Sequence, residues 1–229
     1  MTGSKIAASL ARIGQVQGHL TGPVSVLLAL VAVGATAIDE IWLIARYLTT
    51  MAHEGAHATL ASAIGNRIDS IELMRRDAAG VTHTSGKAGA LGNFSVAFIG
   101  YLGPSAFGIG AAELIRIGHI VAVLWISVLG LIAILVSLRK FFSFVVVMAV
   151  LVLLFLVTGF AAVGVQVLTA YAIAWFLLVS SVRGVRRRRT GSADSDLLRG
   201  MTRVPHGFWY RVWLGGSVIA LVFGATQLV

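Results

Sequence analysis

Met51-Ala52-His53-Glu54-Gly55-Ala56-His57-Ala58-Thr59-Leu60 sets an HExxH pentad inside an apolar stretch, and its reading decides the fold. On a helix, His53 and His57 lie roughly 40° apart around the axis, so both imidazoles can reach one metal ion. Glu54 falls about 100° from His53, on the same side, free to act on a water there. Three ionisable side chains facing lipid would be costly, so they are expected to face a protein interior or a wet cavity. The pattern points to a zinc peptidase held in a membrane.

Outward from the pentad, the rest of the chain agrees. Its 229 residues are 58% hydrophobic and 12% charged, with a mean hydropathy of +0.91. Such a composition excludes a soluble domain and indicates a polytopic membrane protein. There is no cysteine, so disulfides and thiolate metal sites are excluded, and zinc has to be held by His and carboxylate. Apolar runs at 22–38, 41–64, 89–112, 118–137, 141–160, 162–182 and 207–228 each approach the roughly 20 residues that cross the hydrocarbon core. Gly159 and Gly164 mark the weak break between the fifth and sixth runs. The expected fold is an all-α membrane protein, a polytopic bundle of about six to seven transmembrane helices with a short β-hairpin-like loop at the cytoplasmic face. Residues 1–21 read as a flexible cytoplasmic N-terminus and 22–229 as a single membrane-embedded peptidase domain.

The formal charge of +9 reads as topology. With the N-terminus in the cytoplasm, Lys5, Arg12, Arg67, Arg75, Arg76, Lys87, Arg139 and Lys140 fall inside. So do Arg183, Arg186, Arg187, Arg188, Arg189, Arg199 and Arg203, while the opposite loops hold Arg116 with the acidic Asp39 and Glu40. This satisfies the positive-inside rule for a multi-pass protein of the cell membrane. The Arg-rich inner loop is expected to touch anionic lipids, and no nucleic-acid partner is expected. Ala35-Thr36-Ala37 has the look of a signal cleavage site, but the long polar lead-in favours an uncleaved first helix.

A catalytic zinc usually has three protein ligands, and the pentad supplies two. In this topology His53 and His57 lie in the cytoplasmic half of their run, which leaves Asp39, Glu40 and Glu113 at the wrong face. Asp194 and Asp196, ahead of the last run, are at the right face. Both remain open as the third ligand, their ordinary reading being an acidic helix start.

Four segments carry a resemblance that spans about residues 40–220: the pentad; Gly65-Asn66-Arg67 through Gly86; Gly100-Tyr101-Leu102-Gly103-Pro104-Ser105; and Asp194-Ser195-Asp196-Leu197-Leu198 followed by Thr202, Pro205 and Trp209. In that order they resemble the site-2 proteases, intramembrane zinc metallopeptidases, and are most similar to the compact bacterial B-type branch. The resemblance implies that His53 and His57 bind zinc, that Glu54 is the catalytic base, and that Asp194, with Asp196 as the alternative, completes the site. It also implies a membrane-protein substrate cut near the cytoplasmic leaflet. The chain departs from better-known members in two places. Ser105-Ala106-Phe107 follows Pro104 without an Asn, and neither Asn-Pro-Asp-Gly nor Leu-Asp-Gly occurs.

Between the pentad and the third run, Arg67-Ile68-Asp69-Ser70-Ile71-Glu72-Leu73 alternates polar and apolar, and Val81-Thr82-His83-Thr84 is strand-prone. A hairpin is expected, with a free edge that could accept an extended substrate. His83, His119 and His206 receive no catalytic role, and Trp209, Tyr210 and Trp213 read as an interfacial belt. The rival readings are a membrane protein that binds metal without turnover and, further off, a metal transporter.

Overall fold

The structure, a computed structural model, describes residues 2–75, 79–86, 88–188 and 191–229. Arg76, Lys87 and Arg189 of the charge reading lie outside them. In chain order come α1 (Thr2–Ala11), α2 (Gly22–Ala37), α3 (Asp39–Ala63), β1 (Arg67–Leu73) and β2 (Gly80–Ser85). After the strands follow α4 (Gly89–Ile99), α5 (Gly103–Arg116), α6 (Ile120–Val136) and α7 (Phe141–Phe160). The chain closes with α8 (Val163–Arg186), α9 (Ala193–Thr202) and α10 (His206–Leu228).

The architecture is an all-α membrane bundle with one small antiparallel sheet. In lipid, backbone groups have no water to bond, and a helix satisfies them within the segment itself, which suits the long apolar runs of α6, α7 and α8. Helix α8 is the centre. Val167, Ala170, Tyr171, Ala174, Trp175 and Leu178 form a buried stripe that meets α2, α5, α6 and α10. Glycines admit Leu178 on two sides: a Cβ at Gly108 would sit 2.8 Å from its Cγ, and Gly224 faces its Cδ atoms. The turn between α7 and α8 uses Ala161 and Ala162, both extended, rather than Gly159 or Gly164.

The span count differs from the expected six or seven. Among the described residues, four helices are long and apolar enough to cross a membrane, the segment 89–116 counting as one. A fifth is reached if α2 and α3, bent by 104° where they meet, form one span; α6 is apolar but has 17 residues. Hydropathy marks the break at Asp39-Glu40 and carries nothing about its angle.

Two further observations concern the lead-in and the charges. The lead-in 1–21, expected to be flexible, is helical over Thr2–Ala11 and docks on the bundle. Ser9 is fully buried with its hydroxyl on the Thr158 carbonyl, and Gln17 Oε1 accepts from the Val121 amide at 2.9 Å. These tertiary bonds override the weak local preference of a Gly- and Ser-containing start. The charge arrangement also changes. Helices α2 and α8 run in the same direction, with Ser25 beside Trp175 and Asp39 paired to Arg183 and Arg187. Arg12 meets Gln166 at the opposite end of α8. Thus Asp39 shares an end with the Arg-rich segment and Lys5 and Arg12 do not, the reverse of the expected loops. The 104° bend between α2 and α3 breaks the simple alternation of sides on which those loops were assigned.

The hairpin lies at the Arg-rich end. Its register runs from Arg67↔Ser85 to Leu73↔Gly80, with an irregularity between Ile68 and Ser70. The Ile71 amide donates to the Ser137 carbonyl and the Leu73 amide to Ser143 Oγ, both at 2.9 Å, which anchors β1 to the α6–α7 connection. Ile71 and Leu73 then join Met51, Ile134 and Val147 in a second buried cluster.

If Leu178 is the central peg, Gly108→Val should lower the thermal midpoint in detergent, since overpacking costs about 1–3 kcal/mol. Gly110→Val, which points into open space, should leave that midpoint nearly unchanged.

Candidate metal centre

Helix α3 brings His53 and His57 together as the pentad spacing requires, with their Nε2 atoms 3.1 Å apart. His57 Nδ1 lies 2.6 Å from the Val96 carbonyl. A carbonyl only accepts, so Nδ1 carries a proton there, and Nε2 is the atom turned toward Asp194 and the site. The His53 ring is met edge-on by Tyr101, with centroids 4.6 Å apart, and Tyr101 rests in turn on Trp213.

The close approach of the segment between α4 and α5 explains its odd sequence. Gly100–Leu102 is a single 3-10 turn against the imidazoles. A Cβ at Gly100 would lie 2.5 Å from His57 Cε1 and 2.7 Å from His53 Cε1, and one at Gly103 would lie 2.9 Å from the Ala52 carbonyl oxygen. Pro104, in the first turn of α5, needs no amide partner there.

Helix α9 supplies the carboxylate. Ser192 and Ser195 form a capping box, which places Asp194 in the first helical turn. Asp194 Oδ2 is 3.1 Å from His53 Nε2, and Oδ1 is 3.5 Å from His57 Nε2. Ligand atoms of all three residues fall within 4.8 Å of one another. Burial alone would raise the Asp194 carboxyl, but hydrogen bonds with His53 and His57 outweigh it and hold the group well below the usual carboxylate range. Asp196 points elsewhere, 3.2 Å from His206 Nε2 and 70% exposed. His206 Nδ1 also meets Ser195 Oγ at 2.9 Å, tying the first turn of α9 to the start of α10. Asp39 and Glu113 pair with Arg183 and Arg116, away from the cluster.

Glu54 is 2% exposed, with Oε1 4.0 Å from His53 Nε2. Its Oε2 accepts from the Thr82 hydroxyl at 2.6 Å. Gly80 leaves room for the carboxylate, since a Cβ there would be 2.5 Å from Glu54 Cγ. His83, the next residue along the strand, points to the other face and is exposed. Thr82 and Tyr101 carry no distinguishing signal in the sequence, where each is an ordinary residue of its segment. The cluster opens into a cavity of about 700 Å³ that Arg46, Arg187 and Arg188 also line.

The arrangement offers two imidazole nitrogens, one carboxylate oxygen and an adjacent second carboxylate. This donor set suits a catalytic zinc with one open position. The family model described as Peptidase M50B-like matches residues 24–224. No curated protein and no solved structure matches the chain.

Zinc content of the detergent-purified protein, read by mass spectrometry, separates the two aspartates. Asp194→Ala should lose the metal, and Asp196→Ala should keep it. Gly100→Ala, which displaces both imidazoles, should weaken metal affinity by about 10–100-fold, as loss of supporting contacts does.

Proposed function

From the chain's membership of the Peptidase M50B-like family, which is the site-2 protease family, we propose that it is an intramembrane zinc endopeptidase. The observation that carries this reading is the convergence of His53, His57 and Asp194 beside Glu54 in one cavity of a membrane bundle. Zinc held by these three residues supplies Lewis-acid polarisation and makes water nucleophilic near neutral pH.

Glu54 takes a proton from the attacking water as the water oxygen bonds to the peptide carbonyl carbon. It then gives that proton to the amine as the C–N bond breaks. The Val96 carbonyl holds the His57 ring in the required tautomer, and Tyr101 holds His53. A substrate helix keeps its carbonyls in hydrogen bonds, so the segment to be cut has to be unwound. The hairpin suits that task. Ile71 and Leu73 direct their amides away from β2, so their partners Thr82 and Gly80 direct their main-chain groups away from β1, along the edge that lines the cavity. An extended substrate can pair there by strand addition, beside Glu54.

The substrate in this reading is a membrane protein cut near the cytoplasmic leaflet of the cell membrane. The positive-inside rule assigns the Arg183–Arg188 end to the cytoplasm, where the arginines meet anionic lipid headgroups. Residues 2–21 then lie on the other side, in place of the cytoplasmic N-terminus expected from the charges alone.

Glu54→Gln should keep about one zinc per chain and lose cleavage of a co-expressed membrane substrate by more than about 100-fold, since general-base catalysis contributes that order. Equal cleavage by wild type and Glu54→Gln would reduce the site to metal binding without turnover. Because the chain has no cysteine, single-cysteine labelling with a membrane-impermeant maleimide reads the orientation cleanly. Lys5→Cys should label in intact spheroplasts and Arg199→Cys only after permeabilisation; the opposite pattern would invert the assignment.

A further inference from the structure

We propose that Thr82 is a positioning residue for the reaction: its hydroxyl orients the Glu54 carboxylate toward the metal cluster. This rests on Glu54 being the base. Glutamate has three side-chain torsions, and on an α-helix surface it samples several staggered states. A base has to present one oxygen to the reacting water, so that freedom has to be removed before the reaction.

The hairpin removes it from two directions. Thr82 Oγ1 donates to Oε2 at 2.6 Å, which leaves Oε1 on the His53 side. Gly80, two residues earlier on the same face of β2, lies against the Cγ and Cδ of Glu54, and any side chain there would push the carboxylate aside. Threonine is stiff about its first torsion, so a held strand gives a held hydroxyl. The strand is held, because β1 is bonded to Ser137 and Ser143 and its Ile71 and Leu73 are buried with Met51 of the Glu54 helix. A hydrogen bond to a carboxylate is short and strong, and with Glu54 buried this one is a restraint of consequence. The same strand that is read as the substrate's docking edge therefore also aims the base. Substrate pairing and base alignment become properties of one element.

Binding of benzohydroxamate to the zinc-loaded full chain in detergent tests this without a known substrate, because the hydroxamate gives its hydroxyl proton to a neighbouring carboxylate as it chelates. Calorimetry would be run on wild type, Glu54→Gln, Thr82→Val and Thr82→Ser, with zinc content measured for each. The expected result is equal zinc in all four, weaker binding in Glu54→Gln, a loss of about tenfold in Thr82→Val, as for one hydrogen bond to a charged group, and recovery in Thr82→Ser. Thr82→Val binding like wild type while Glu54→Gln is weakened would overturn the role of Thr82 and leave the peptidase reading standing. Loss in Thr82→Ser as large as in Thr82→Val would assign the effect to packing and overturn it equally. Wild type that holds no zinc, or a Glu54→Gln variant that binds like wild type, would remove the base itself and this proposal with it.

Discussion

The contact on which the site depends is that of the Asp194 carboxylate with two imidazoles on another helix. A largely buried charge is tolerable only where it is paired and hydrogen-bonded, and here the partners come from distant parts of the chain. Helix α3 contributes the histidines, and the ten-residue α9 contributes the carboxylate. Helix α9 is too short to be stable alone. It is held by its capping box, by His206 on Ser195, and by the fully buried Leu198 among Ala97, Trp209 and Trp213. Aromatic packing between α4 and α10 thus reaches the site through α9.

A second constraint is the space around the histidines. The 3-10 turn at Gly100–Leu102 brings backbone where side chains would collide, and the hairpin does the same over Glu54 through Gly80. The site is built by omission on two sides and by donors on the remaining ones. Between these walls the cluster opens into the cavity at the Arg-rich end. For a peptidase of this family, that geometry confines the reaction to one end of the bundle.

Several features were legible in the residues. The pentad's spacing placed both histidines on one face, and alternation over Arg67–Leu73 marked the hairpin. Asp194 and Asp196 could not be separated by sequence, because both are acidic residues in the first turn of one short helix. What separates them is direction: they lie two positions apart on that helix, about 200° around its axis, and only one faces α3. Thr82 and His83 show the same principle on a strand, where adjacent residues face opposite sides. The angle between α2 and α3 and the docking of the lead-in were not legible for a different reason. Hydropathy measures whether a segment tolerates lipid and carries no information about the angle between successive helices.

The sequence alone determined the local chemistry: a membrane-embedded helical chain, a helix presenting two histidines and a glutamate, and a hairpin after it. These follow from composition and from periods of 3.6 and 2, which are properties of neighbouring residues. Tertiary structure alone decided that Asp194 joins the histidines, that Thr82 holds Glu54, that α3 bends 104° from α2, and that residues 2–21 dock at the end away from the arginines. Each of these depends on residues far apart in the chain meeting in space, and such meetings are set by the packing of the whole bundle.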